Sequence, residues 1–234
     1  MTDIEMKTRV LCLHGHRQSA AKLKGKMAAL LRAAKVTTEF VFVDGPINVP
    51  YEPTSAEHIQ RVNVLSDGDA EELKTSVAQF AWWEFERQTE SDAYSYVGVD
   101  DTLSYLEGII RTQGPFDGVF GFSQGGMCAA YMLSRQQQGD TRFQFKFGVF
   151  CASALMSDPA FNLSLDSPLR LPSLHILGEQ DDLISVEKSQ ALAAQFDNPV
   201  LLTHPGGHYI PTQKDPRTIW KTFFEEQAAA SSHE

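Results

Sequence analysis

Short runs of apolar residues, separated by longer stretches with helical spacing, set the pattern of this chain. Val10-Leu11-Cys12-Leu13 is an unbroken apolar run, which predicts a strand buried on both faces. Residues Ser19 to Ala34 follow with helical periodicity, and Ser19 stands where an N-cap belongs. Phe40-Val41-Phe42-Val43 predicts a second strand, closed by the turn residues Asp44-Gly45-Pro46. Further along, helices are predicted over Val99–Arg111, 124–137, Val186–Phe196 and Pro216–Glu226. Strands are predicted at Gly118–Gly121, Phe145–Cys151, Leu174–Leu177 and Val200–Thr203. Such alternation predicts an α/β fold, a mostly parallel central sheet of about six strands with helices on both faces. Functional groups in such sheets gather at the carboxyl ends of the strands.

Between about residues 46 and 97 the alternation breaks. This stretch carries prolines, the acidic residues Asp67, Asp69, Glu71 and Glu72, and the aromatic residues Phe80, Trp82, Trp83 and Phe85. An interruption of that length between core elements is uncommon and often functional. It is read either as a lid over a site or as a surface insertion with short helices of its own. The 234 residues otherwise fit one large α/β domain spanning 1–234.

Composition removes several classes of function. A formal net charge of −10, with no basic stripe, argues against nucleic-acid binding. It also makes anionic surfaces and polyanionic substrates poor partners. Cys12, Cys128 and Cys151 are too few for a disulfide framework and lack metal-ligand spacing. The first ten residues hold no apolar secretory core, and no apolar run reaches the length of a membrane span. Cytoplasm is the expected location.

The stretch that changes the picture is Gly118-Val119-Phe120-Gly121-Phe122-Ser123-Gln124-Gly125-Gly126. It places Gly-x-Ser-x-Gly between a predicted strand and a predicted helix. A serine held on so sharp a turn leaves no room for side chains two residues to either side, which glycine at 121 and 125 provides. The helix that begins beneath it favours negative charge developing nearby. Ser123 is therefore the candidate nucleophile.

Its partners must follow in the chain order Ser, acid, His. His208 lies in the loop Pro205-Gly206-Gly207-His208-Tyr209-Ile210-Pro211 beyond a strand end, where a general base can reach the serine. His175 falls inside an apolar strand, and His204 ends the last strand, so His208 is preferred. For the acid, Gly178-Glu179-Gln180-Asp181-Asp182 offers two carboxylates, and the Gly-x-x-Asp spacing selects Asp181 over Asp182. An oxyanion hole needs two backbone N–H groups. Gln124 supplies one, and His16, in the loop after the first strand, is the best candidate for the other. Trp83, Phe122 and Tyr209 are candidate pocket residues. His14 and His16 form an i, i+2 pair with no nearby carboxylate, which is poor support for a metal; neither metal nor cofactor is expected.

The chain resembles the FSH-type family of serine hydrolases. The resemblance rests on Leu11-Cys12-Leu13-His14-Gly15-His16-Arg17-Gln18-Ser19, on Trp82-Trp83, and on Gly114-Pro115-Phe116-Asp117-Gly118 running into the serine motif. It continues through Pro172-Ser173-Leu174-His175 with Gly178 and Asp181, and through Gly206-Gly207-His208-Tyr209-Ile210-Pro211. It implies an α/β-hydrolase fold and esterase activity on short to long acyl esters, with Ser123, Asp181 and His208 as the triad. Relatives that release polyketides as thioesterases make an acyl thioester on a carrier protein or coenzyme A the alternative substrate. An alternative of another class is a non-catalytic binding module on a hydrolase scaffold. Such proteins typically lose the serine or the histidine, and both are present here.

Overall fold

The computed structural model describes residues 7–50, 78–87, 94–161, 163 and 167–231. The acidic stretch Asp67, Asp69, Glu71 and Glu72, and with it most of the 46–97 segment, lies outside the described residues.

In chain order, β1 (Thr8–Leu13) leads to α1 (Ala20–Lys26), α2 (Ala28–Ala34) and β2 (Thr38–Val43). Four short strands follow: β3 (Ile47–Val49), β4 (Gln79–Ala81), β5 (Glu84–Arg87) and β6 (Tyr94–Val97). Then come α3 (Val99–Gln113), β7 (Gly118–Phe122), α4 (Gln124–Gln137), β8 (Phe147–Cys151) and β9 (Ser173–Gly178). The chain closes with α5 (Val186–Ala193), β10 (Val200–His204) and α6 (Lys214–Ser231). The central sheet has six strands in the order β10-β9-β8-β7-β1-β2, and each neighbouring pair is parallel.

The apolar runs form this sheet because both faces are covered. All five residues of β7 and of β8 are buried, as are all six of β9. The edge strands β2 and β10 keep exposed positions. Successive side chains feed opposite cores. Val10, Cys12, Phe120 and Phe122 pack with Leu23, Leu30, Trp220 and Phe224, from α1, α2 and α6. Leu11, Leu13 and Val119 pack with Leu103, Leu106, Leu133 and Leu192, from α3, α4 and α5. Switching from β7 to β1 and then to β2 reverses the direction of strand progression, and this is where a site is expected in an open parallel sheet.

Several boundaries differ from the sequence reading; the closing helix, expected over Pro216–Glu226, runs from Lys214 to Ser231, and three other differences have a visible cause. The helix expected over 19–34 is divided at buried Met27, whose backbone leaves helical ψ, although Ser19 does cap its start by accepting from the Lys22 N–H at 3.2 Å. The strand expected from Phe145 starts at Phe147, because both backbone groups of Phe145 are taken by the Gln136 carboxamide at 2.8 Å. The helix expected to reach Phe196 stops at Ala193, and Phe196 instead bridges to Leu169. The described part of the 46–97 segment is strand rather than helix, forming the antiparallel pairs β3–β4 and β5–β6.

Candidate active site

Ser123 sits between the end of β7 and the start of α4 with φ 54° and ψ −120°, in the left-handed half of the backbone map that a residue with a side chain rarely occupies. The two motif glycines make the turn possible. A Cβ on Gly121 would collide with the Gly125 carbonyl and the Gly126 Cα, and one on Gly125 with the carbonyls of Leu13 and His14. The Ser123 N–H donates to the Cys151 carbonyl at 2.9 Å, which ties the turn to β8. Its own carbonyl accepts from the Gly126 N–H at 2.9 Å and from the Ser153 hydroxyl at 3.2 Å.

His208 brings the predicted residues together. Its Nε2 lies 3.0 Å from Ser123 Oγ and its Nδ1 lies 2.7 Å from Asp181 Oδ2. A carboxylate only accepts, so Nδ1–H donates to Asp181 and Nε2 is left to accept the serine proton. The Asp181 side chain has no exposed surface, while that of His208 keeps 18 %. Asp181 is held from its other oxygen: Oδ1 accepts the backbone N–H groups of Leu183 and Ile184 at 2.9 and 2.8 Å. Asp182 is exposed. Gly206 and Gly207, before the histidine, press against Gly178, where an added Cβ would lie 2.5 Å from the Gly207 carbonyl. The base and acid loops are thus in backbone contact.

The other histidines are engaged elsewhere. His175 is stacked on Phe150 and edge-on to Phe196, with Nε2 3.1 Å from the Ser173 hydroxyl, and burial drives its pKa down to about 3. His204 accepts the Gly206 N–H on Nδ1 at 3.2 Å, and its burial lowers its pKa. His14 is fully buried; Nδ1 donates to the Gly15 carbonyl at 2.7 Å and Nε2 accepts the Gly45 N–H at 2.9 Å. Both of its nitrogens are used by the backbone, leaving no lone pair for a metal.

The candidate oxyanion donors flank the serine. Gln124 is the first residue of α4, where a backbone N–H has no preceding turn to accept it. The loop that carries His16 crosses close by: a Cβ on Gly15 would lie 3.2 Å from Ser123 Cβ. The half-buried His16 ring meets Phe85 edge-on at 5.3 Å, and burial followed by the charge of Arg17 lowers its pKa. Of the three candidate pocket residues, Trp83 and Phe122 have no exposed surface. Trp83 stacks on Tyr96 at 5.4 Å and Phe122 packs 5.0 Å from the His208 ring. Tyr209 is 37 % exposed and leans on His204 at 4.9 Å.

Sequence reasoning missed the side chains behind the donors. The Gln124 carboxamide is buried, accepts the Trp82 N–H at 3.0 Å and donates to the Trp83 carbonyl at 2.8 Å. The Trp82 indole N–H donates to the His14 carbonyl at 2.7 Å. These partners stand 42, 41 and 68 residues apart, and no local pattern announces them.

A parallel sheet in this strand order, with a strained serine at the crossing from its β7 strand to the next helix, defines a hydrolase of the α/β-hydrolase class. Within that class the chain belongs to the serine hydrolase (FSH1) family, whose sequence model matches residues 1–219. It is 34 % identical over 229 residues to the human protein named esterase OVCA2, covering 94 % of this chain and 96 % of that one. The Xenopus tropicalis protein of the same name is 32 % identical, with 93 % and 92 % covered. Among solved structures, maize acyl-protein thioesterase 2 superposes with a TM-score of 0.62 at 17 % identity, over 97 % of this chain and 96 % of that one. The Bacillus cereus carboxylesterase gives 0.57 at 16 % identity, over 94 % and 89 %. At such identities the two structures speak to the fold alone.

Proposed function

We propose that this serine hydrolase cleaves carboxylic esters of small or acyl-chain substrates through Ser123, His208 and Asp181. The observation that carries this reading is the single imidazole that spans Ser123 Oγ at 3.0 Å and Asp181 Oδ2 at 2.7 Å. Ser123 Oγ attacks the ester carbonyl while His208 Nε2 takes its proton. Asp181 fixes the tautomer and stabilises the imidazolium. The Gln124 and His16 N–H groups receive the oxyanion. His208 then protonates the leaving alkoxide, and the acyl group stays on Ser123. A water deprotonated by His208 attacks the acyl-enzyme, releasing the carboxylic acid and restoring the hydroxyl. Tyr209, the exposed neighbour of the base, contacts the substrate, and buried Phe122 backs the His208 ring.

Oxygen esters are preferred because the similar curated relatives carry the name esterase. An acyl thioester on a carrier protein or coenzyme A passes through the same tetrahedral intermediate and is the second substrate class. The three cysteines are free and buried, and among the described residues no helix is long and apolar enough to cross a membrane. The free cysteines support the cytoplasm as the working compartment.

The test is a fluorophosphonate probe together with a ladder of acyl esters and matched thioesters. The wild-type protein is labelled at Ser123 and turns over the esters faster. Ser123→Ala loses both labelling and turnover while its circular dichroism is unchanged. Turnover that survives in that variant removes Ser123 from the mechanism, and a strong thioester preference exchanges the two substrate classes.

A further inference from the structure

Ser123 is served by two candidate oxyanion donors from different elements. The Gln124 N–H opens α4 and the His16 N–H lies in the loop after β1. Their separation decides whether both can reach one oxygen. Among the described residues, the short segment 80–83 is hydrogen-bonded to both sides.

On the α4 side, Trp82 and Trp83 present an N–H and a carbonyl that the Gln124 carboxamide pairs with, at 3.0 and 2.8 Å. The side chain thus bonds to the segment as a strand neighbour would. On the loop side the same segment binds at two points. The Trp82 indole donates to the His14 carbonyl at 2.7 Å, and the Phe80 N–H donates to the Gln18 carbonyl at 2.7 Å. These two anchors lie on either side of His16. The Trp82 ring also rests on the His14 ring at 5.1 Å, and His14 in turn receives the Gly45 N–H. From behind, the Thr102 hydroxyl donates to the Trp82 carbonyl. Gln124, Trp82 and His14 are all buried to within 2 %, so these bonds face little competition from water and are costly to leave unmade.

We infer that residues 80–83 form a brace that sets the spacing of the oxyanion hole, with the Gln124 carboxamide and the Trp82 indole as its positioning groups. Neither side chain touches substrate. Their work is to hold two backbone N–H groups at the separation that a tetrahedral oxyanion requires, which a planar ester carbonyl does not need to the same degree. The brace rests on the reading of Ser123 as nucleophile. It also gives part of the 46–97 segment a share in transition-state binding in addition to any part in substrate choice.

Two substitutions separate the brace from its surroundings. Gln124→Met keeps the backbone donor and the side-chain length and removes both carboxamide bonds. Trp82→Phe removes the indole N–H and keeps an aromatic ring on His14. Misplacement of a reacting group by about 1 Å costs about 100-fold. Each variant is accordingly expected to lower kcat on a p-nitrophenyl ester by about 10- to 100-fold, with KM changed by less than about threefold. An alkyl trifluoromethyl ketone, which forms a tetrahedral oxyanion on the serine, should bind more weakly in proportion to the fall in kcat/KM. A merely structural role would not give that proportionality. Because both side chains act on one spacing, the double variant should lose less than the product of the two single losses. Fluorophosphonate labelling, located on Ser123 by mass spectrometry in every variant, keeps the underlying reading separate. If Ser123 is labelled and kcat stays at the wild-type value, or if only KM moves, the brace is overturned and the serine stands. If Ser123→Ala stays active, both fall. Should Gln124→Met fail to fold, Trp82→Phe decides by the same readouts.

Discussion

Residues 118–126 and residues 80–83 both meet at Gln124, yet they hold the site by different physics. The first segment is built from steric exclusion. Gly121 and Gly125 have backbone atoms where a Cβ would stand, and Ser123 takes a left-handed φ of 54°. Exclusion dictates residue type at fixed spacing, so it is written into the sequence as a motif. The second segment is built from hydrogen bonds between its backbone and a carboxamide, and between an indole and a distant carbonyl. A backbone N–H is supplied by almost any residue, so nothing in residues 80–83 announces where they bind. One region can be read and the other has to be seen.

Breaking the legible side should have the larger effect. Asp181→Asn leaves the geometry but presents a donor to Nδ1, which favours the wrong imidazole tautomer. By analogy with the serine-protease triad, kcat is expected to fall by about 10⁴-fold. Asp182→Asn alters an exposed side chain and should stay within about twofold of wild type. Steady-state kinetics on one ester compares them, and an equal loss in both variants would break the assignment of the acid.

The junction between the two regions gives the next effect. Gly125→Ala puts a methyl group into the carbonyls of Leu13 and His14, so α4 has to move away from β1. That displaces the Gln124 N–H and strains its side-chain bonds to the brace together. A loss of about 10²-fold in kcat is expected, with a lowered midpoint in urea. If activity falls while the urea midpoint holds, the contact tunes the site alone. If neither moves, the close packing of elbow on β1 has no consequence.

The same distinction explains how much could be read in advance. Sheet order aside, the strands β1, β2, β7, β8, β9 and β10 follow from apolar runs, and Ser123, His208 and Asp181 follow from glycine-rich loops at strand ends. What stayed hidden is carried by glutamine. Gln136 takes both backbone groups of Phe145 and delays the start of β8, while Gln137 bonds to residues 167, 168 and 170. On α4, Gln124 applies the same pairing at the active site. A polar side chain on a helix looks solvent-facing until its distant partner is known. The single helix expected over 19–34 failed for a related reason. Met27 is buried at the division, and tertiary packing there overrides continuous helical periodicity.

The smallest effect expected compares the histidine on which the brace rests with one of the core. Burial lowers the pKa of His14 despite its bond to the Gly15 carbonyl and the pull of Asp44, and drives that of His175 down to about 3. In the unfolded chain both return to the ordinary imidazole value of 6.5. Their contribution to stability is therefore complete above that pH and shrinks as acid is added, because the unfolded chain takes up protons that the folded chain refuses. For His175 the loss approaches about 1.4 kcal/mol per pH unit once pH is well below the unfolded value, and it continues toward pH 3; for His14 the loss has the same sign. Urea midpoints measured from pH 7.5 to 4.5 should fall accordingly. His175→Phe, set between Phe150 and Phe196, should flatten the slope by one histidine's share and leave neutral-pH turnover within about twofold. His14→Gln should flatten it as well but also lower kcat, since the Gly45 and Gly15 contacts that seat the loop of His16 are disturbed. Equal kcat in the two variants would detach His14 from the brace, and an unchanged slope in His175→Phe would mean that acid sensitivity arises elsewhere.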